Sequence, residues 1–277
     1  MKKILTALFV LLMTAAAAEA NKPDVNGTNA VQKIVVSGTG DNQELLRSLA
    51  DAFTRKLAGK YLIEVPDAIG STAGIKALAK NQIDIARIAR PLKKEEQELG
   101  LNYKMFANTA IVFVVNPSVT GIDNITTAQI VDIYSGKITD WKDLGAKPGK
   151  IYPLTREPGD SSLKVFSETF SEFTNIPNPV AKVIFLTPEA VATLLQRKNT
   201  IGFVPYSSTV GTDLKVLKVN GVEPSVEKIT GGKYKYLIPL GVAYKGQPQG
   251  LTKEFIDFLF SEDAKKIIEK MGAVPVK

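Results

Sequence analysis

From Val31 onward the apolar positions switch repeatedly between two periods. Residues 33–37, 61–65 and 83–88 are short β-rich runs, and 110–115 is continuously apolar, as expected of a strand buried on both faces. Between them Leu45, Leu46, Leu49, Phe53 and Leu57 recur on one helical face, and residues 74–80 predict a short helix. Thr126 or Thr127 caps a helix carrying Ile130, Val131 and Ile133, ended by Ser135-Gly136. The second half repeats the alternation. Strands are predicted at 151–155, 182–186, 201–204, 214–219 and 237–244. Leu163, Phe166, Phe170 and Phe173 mark one helical face. Thr187-Pro188-Glu189 opens another helix, with a capping Thr and Pro at the first position. Residues 252–271 are helical, with a break near Ser261.

Strands alternating with helices predict an α/β protein built on mostly parallel sheets. No repeat of fixed period occurs, which excludes a solenoid. The 277-residue length suits two α/β lobes. Residues 1–20 depart from the pattern and predict a cleavable secretory signal: Lys2-Lys3, then an apolar run from Ile4 to Met13, then Ala18-Glu19-Ala20. The run is too short to span a membrane. No Cys follows it, so no lipid anchor is expected, and the exported chain is placed in the periplasm. Residues 21–30 are expected to form a flexible lead.

Composition narrows the chemistry. The chain has no His and no Cys, so no Ser-His-Asp triad, Cys nucleophile, His or Cys zinc site or disulfide can be built. No cofactor or metal is expected. Hydrophobic residues at 44% and charged residues at 23% allow a sizeable core and argue against disorder. The net charge of +7 becomes +6 once Lys2, Lys3 and Glu19 leave with the signal. The basic residues are dispersed among acids, as in Lys93-Lys94-Glu95-Glu96, without a basic run or interleaved aromatics. That pattern excludes a nucleic-acid partner and leaves a mild attraction for small anions.

Three loops share one design, each joining a strand to a helix start. They are Ser37-Gly38-Thr39-Gly40-Asp41, Gly70-Ser71-Thr72-Ala73-Gly74 and Arg156-Glu157-Pro158-Gly159-Asp160-Ser161-Ser162. Helix starts offer unpaired N–H groups and partial positive charge, Ser and Thr add hydroxyls, and Gly lets a ligand approach the backbone. Arg156 adds a fork of donors suited to phosphate or sulfate. The same residues are also ordinary caps and turns. No Walker-type phosphate loop occurs. Lys76 with Ser71 is poorly placed for a catalytic dyad, and Trp141 is expected in core or hinge packing.

With these loops in place, the chain resembles a phosphate-type periplasmic solute-binding protein, the substrate-binding component of an ABC importer. Further carriers are Ile83-Asp84-Ile85-Ala86, Arg90-Pro91-Leu92, the stretch from Ile133 to Trp141 (IYSGKITDW), and Ile201-Gly202-Phe203-Val204-Pro205-Tyr206. The resemblance covers about Val31 to Val276. It implies a type II periplasmic-binding-protein fold. Lobe one is residues 31–112 and 238–277, lobe two is 113–237, and the ligand lies between them. It places ligand-binding residues at Thr39, Gly40, Asp41, Ser71, Thr72, Arg90, Arg156, Asp160, Ser161 and Ser162. Ala89 stands where phosphate-specific members can carry an Asp that accepts the ligand's proton. Asp41 or Asp160 either takes over that role or caps its own helix. Arg87 is read as a surface residue, and Arg90 as either surface or cleft.

The implied function is capture of phosphate or a similar tetrahedral oxyanion by cleft closure. A monomer would deliver the anion to a membrane permease, without enzymatic activity. The alternatives are an extracytoplasmic oxyanion sensor of the same fold and, on Asp41 or Asp160, a phosphoester hydrolase.

Overall fold

The computed structural model describes residues 31–58 and 60–276. The predicted signal at 1–20 and lead at 21–30 lie outside them. The first stretch runs β1 (Gln32–Gly38), α1 (Gln43–Lys56), β2 (Tyr61–Glu64), α2 (Ser71–Ala79), β3 (Ile85–Ile88), α3 (Lys94–Gln97) and β4 (Leu101–Val115). Next come β5 (Asn124–Ile125), α4 (Thr127–Tyr134), β6 (Tyr152–Arg156), α5 (Ser161–Thr169), α6 (Ser171–Thr174), β7 (Lys182–Ile184), α7 (Thr187–Gln196) and β8 (Thr200–Pro205). The chain ends with β9 (Lys215–Val216), β10 (Lys218–Val219), α8 (Val226–Thr230), β11 (Leu237–Lys245), α9 (Gly250–Phe258), α10 (Glu262–Lys270) and β12 (Ala273–Pro275). Among the described residues no helix is long and apolar enough to cross a membrane.

The strands follow the order β2-β1-β3-β11-β4-β8-β6-β7, with β12 and β9 pairing off β4. One end is the parallel trio β2-β1-β3, and the other is the parallel trio β8-β6-β7. The antiparallel strands β11 and β4 join them. Residues 101–110 of β4 pair with β11, whereas Ile111 to Val115 pair with β8. One strand thus pairs with both halves of the sheet, changing partner between Ala110 and Ile111. The apolar run at 110–115 marks only the half of β4 that is covered on both faces. The first half carries alternating polar residues such as Asn102 and Lys104, and its strand character was not legible.

The predicted helix faces pack as amphipathic helices must. Leu45, Leu46, Leu49 and Phe53 of α1 are buried, and Phe53 meets Phe255 of α9 at 5.4 Å between ring centroids. In lobe two Phe166 of α5 lies 4.9 Å from Phe203 of β8 and stacks on Phe113 of β4 at 5.3 Å. Burying such a ring contributes about 1.5–3 kcal/mol and fixes the direction in which α5 presents its first turn. Thr126 is the α4 cap, accepting from Gln129 N while the Gln129 side chain returns to Thr126 N. Ser261 caps α10, which separates the two predicted pieces of the last helix. Trp141 is fully buried and donates to Asn199 O at 3.1 Å.

Candidate oxyanion site

Four strand-to-helix junctions border one cavity of about 300 Å³. Thr39 and Gly40 come from the β1–α1 loop, and Ser71, Thr72 and Ala73 from the first turn of α2. Arg156, Gly159, Asp160 and Ser161 come from the β6–α5 junction. Phe185, Leu186 and Thr187 come from the β7–α7 junction, which the sequence reading did not include. Lys76 and Arg90 complete the cationic part of the wall. Eight of the ten expected site residues therefore meet here. Asp41 and Ser162 stand behind the wall.

The junctions do not contribute alike. The second "loop" is in fact helix: α2 begins at Ser71, three residues before the predicted start. Its N-cap is Gly70, held at φ 85°, and Gly70 has no side chain with which to cap. The N–H groups of Ser71, Thr72 and Ala73 make no hydrogen bond to the described residues. These three donors and the helix dipole point to an anion. Gly74 lets α2 approach this closely, because a Cβ there would lie 2.7 Å from Gly38 Cα. Ser71 Oγ accepts from Ala89 N at 3.4 Å.

Asp160 caps its own helix and is held through both carboxylate oxygens. Its Oδ1 accepts from Leu163 N at 3.0 Å and caps α5, and its Oδ2 pairs with Arg156 Nη2 at 2.8 Å. Burial, reinforced by the negative charge of Asp41, raises its carboxyl to about 7 against the pull of Arg156. Arg156 also donates to Ile184 O, Phe185 O and Thr187 Oγ1. Three of the five guanidinium N–H groups are thus hydrogen-bonded, and Nη2 is also held in the ion pair with Asp160. The expected open fork is already largely filled.

Asp41 caps no helix among the described residues. Its Oδ2 accepts from Thr39 Oγ1 at 3.0 Å and its Oδ1 from Thr187 Oγ1 at 2.6 Å. Ser162 is fully buried, and its hydroxyl finds no partner among the described residues. Arg90 is half-buried and held by Glu96 through two contacts of 2.7 Å, with Thr72 Oγ1 at 3.4 Å. It lines the cavity.

The surface reading of Arg87 is overturned. Its side chain is fully buried and donates to Thr39 O at 2.7 Å, Val36 O at 2.8 Å, Pro66 O at 2.9 Å and Gln43 Oε1 at 3.0 Å. Burial, with Arg47 nearby, lowers the guanidinium to about 10. Arg87 is a strut under the β1–α1 loop, which orients Gly40 toward the cavity. Its neighbour Gly40 also touches the other lobe, since a Cβ there would lie 2.6 Å from Pro188 Cδ.

Residues 23–263 match the family model described as the PBP superfamily domain. The chain belongs to the PBP superfamily. The phosphate-binding protein PstS of Bacillus subtilis is 27% identical over 99% of this chain and 92% of its own. A crystal structure from Clostridium perfringens with bound phosphate is 29% identical, with a TM-score of 0.74 over 89% of this chain and 100% of the other. An ABC-type phosphate transport receptor from Vibrio cholerae is 27% identical, with a TM-score of 0.60 over 87% and 99%. The two-lobed PBP fold, with its cleft between lobes, is therefore established for this chain.

Within this PBP cleft the sequence reading missed Thr187 and treated Lys76 only as half of a dyad. Thr187 is the first residue of α7, and Leu186 is the cap position. Its hydroxyl is consequently free to serve Asp41 and Arg156. The Pro188 that follows it signalled a helix start, and nothing in the sequence pointed to the opposite lobe.

Proposed function

We propose that this protein captures a tetrahedral oxyanion, phosphate being the ligand its relatives favour, in the cleft between its lobes. The observation that carries the reading is the uncapped first turn of α2, whose three free N–H groups share a cavity with Arg156, Arg90, Lys76 and Gly40. Backbone amides, hydroxyls and guanidinium groups do not titrate near neutral pH, so such a trap needs neither His nor Cys. The lobes run over 31–112 with 238–277 and over 113–237, close on the anion, and present it as a monomer to a membrane permease of an ABC importer. A cleavable signal at 1–20 would place it in the periplasm without a lipid anchor.

The ligand-binding set is Thr39, Gly40, Ser71, Thr72, Arg90, Arg156 and Ser161, with Lys76 added. Asp41 and Asp160 hold the set in place, and Ser162 is buried behind it. A charged hydrogen bond contributes about 1.5–3 kcal/mol, so Arg156→Ala is expected to weaken binding at least about tenfold. Titration calorimetry with phosphate, sulfate and arsenate tests the reading. Absence of heat with every oxyanion, or an unaffected Arg156→Ala, overturns it.

A further inference from the structure

A second and larger cavity, of about 670 Å³, adjoins the oxyanion cavity. Six residues line both: Thr72, Arg90, Arg156, Gly159, Asp160 and Ser161. The division between them is therefore the short Gly159–Ser161 turn, and a Cβ on Gly159 would meet nothing within 4 Å. Beyond the turn the wall is apolar: Leu163 of α5, Phe173 of α6, Ile176, Pro179 and Val183 of β7. Lys93 and Lys164 stand at its rim, with the hydroxyls of Ser167 and Thr174.

A bare tetrahedral anion has no use for the apolar part of this compartment, formed by Leu163, Phe173, Ile176, Pro179 and Val183. Closure of the lobes does not remove it either. The lobes already meet at Asp41–Thr187, and most of the cavity wall belongs to β6, α5, α6 and β7 of one lobe. A compartment of this size, mostly apolar with a few polar groups at one end, has the character of a small-molecule site.

We propose that the natural ligand is an organic phosphorus oxyanion, a phosphonate or phosphomonoester. Its tetrahedral head occupies the cavity at α2, and its short apolar tail lies past Gly159 against Leu163, Phe173 and Val183. The proposal rests on the oxyanion reading above for the head and adds the tail. Three corners of the tetrahedron face the donors of α2, Gly40 and Arg156. The fourth carries the carbon substituent along the cleft between Thr72 and Ser161.

The test is calorimetry with inorganic phosphate and with methyl-, ethyl-, propyl- and butylphosphonate, which share one head and differ only in tail. Each buried methylene is worth about fourfold in affinity, so propylphosphonate is expected to bind at least about tenfold tighter than methylphosphonate. Ser167 is exposed and lines only the larger cavity. Ser167→Trp is expected to abolish the gain along the series and leave phosphate affinity within about twofold. Val183→Trp, on β7, should do the same, and thermal melts of both variants check folding. A protein that binds phosphate without a gain along the series, or fails to bind methylphosphonate, overturns the proposal alone. So does a gain that survives both tryptophans. Failure to bind phosphate and every phosphonate overturns the oxyanion reading and the proposal together.

Discussion

Thr187 Oγ1 donates to Asp41 Oδ1 at 2.6 Å, joining the start of α7 to the loop before α1. The same oxygen accepts from Arg156 Nη1 at 3.1 Å. One hydroxyl therefore relays between the buried guanidinium of Arg156 and the buried carboxylate of Asp41. In the proposed closing motion, a closed cleft would keep all three groups satisfied, and separation of the lobes would expose Asp41 and Thr187 to water.

Thr187→Val keeps the shape of the side chain and removes the hydroxyl. Asp41 loses a donor and Arg156 an acceptor, both in the closed form. Oxyanion affinity is expected to fall about tenfold, the equivalent of one charge-assisted hydrogen bond. Thr187→Ser should retain most of it. Phosphate titration of the two variants provides the check, and a loss in Thr187→Ser with none in Thr187→Val would mean that the methyl, not the hydroxyl, matters.

Gly40 makes the same contact between lobes sterically testable. A Cβ there would lie 2.6 Å from Pro188 Cδ and 3.0 Å from Thr187 Cβ. Gly40→Ala should therefore disfavour closure while leaving each lobe folded. A ligand that binds the closed form must then supply the difference, so affinity falls and the melting temperature without ligand stays nearly constant. Adding Pro188→Ala removes the obstructing atom and should restore much of the affinity. A double-mutant cycle measures the coupling, and strict additivity would refute it.

Asp160 gives the site a pH dependence. Its carboxyl is raised from 3.8 to about 7, first by burial and then by Asp41, with Arg156 and the N–H groups of Ser162 and Leu163 opposing. The folded protein thus binds this proton more tightly than the unfolded chain does. Its contribution to stability is greatest below about pH 4 and declines as pH rises toward 7. Above 7 the ionised carboxylate also repels an anion in the adjoining cavity. Sulfate, which carries no proton in this range, is expected to bind more weakly at pH 8 than at pH 6. Asp160→Asn should flatten that profile and gain thermal stability relative to the parent as pH rises. Parallel profiles for parent and variant would count against it.

Where local chemistry decides structure, the sequence was informative. Thr126 with Gln129, the break at Ser261, the face of Leu45, Leu46, Leu49 and Phe53, and the donor-rich residues around Ser71 and Arg156 all act through neighbours a few positions away. What was not legible depends on distant partners. Thr187 looked like a helix cap and instead serves a carboxylate 146 positions earlier. Asp160 does cap its helix, but the charge of Asp41, 119 positions earlier, also acts on its carboxyl. The second cavity is lined by residues of α5, α6 and β7 together with Thr72 and Arg90 far earlier in the sequence, and no residue pattern records a gap.

Arg87 is the sharpest case, because arginine is rarely fully buried and the sequence placed it at the surface. Its four hydrogen bonds satisfy three backbone carbonyls and Gln43 beneath the β1–α1 loop. Arg87→Met fills similar space but donates nothing. Each buried carbonyl left without a partner costs about 1–3 kcal/mol, offset in part by relief from burying a charge. Urea unfolding is expected to show a net loss of at least about 2 kcal/mol with an unchanged slope. Because Thr39 O is one of the acceptors, the loop carrying Gly40 should also loosen. Phosphate affinity should then fall even though Arg87 does not line the cavity. A variant with wild-type stability and affinity would show that the loop holds its shape without the strut.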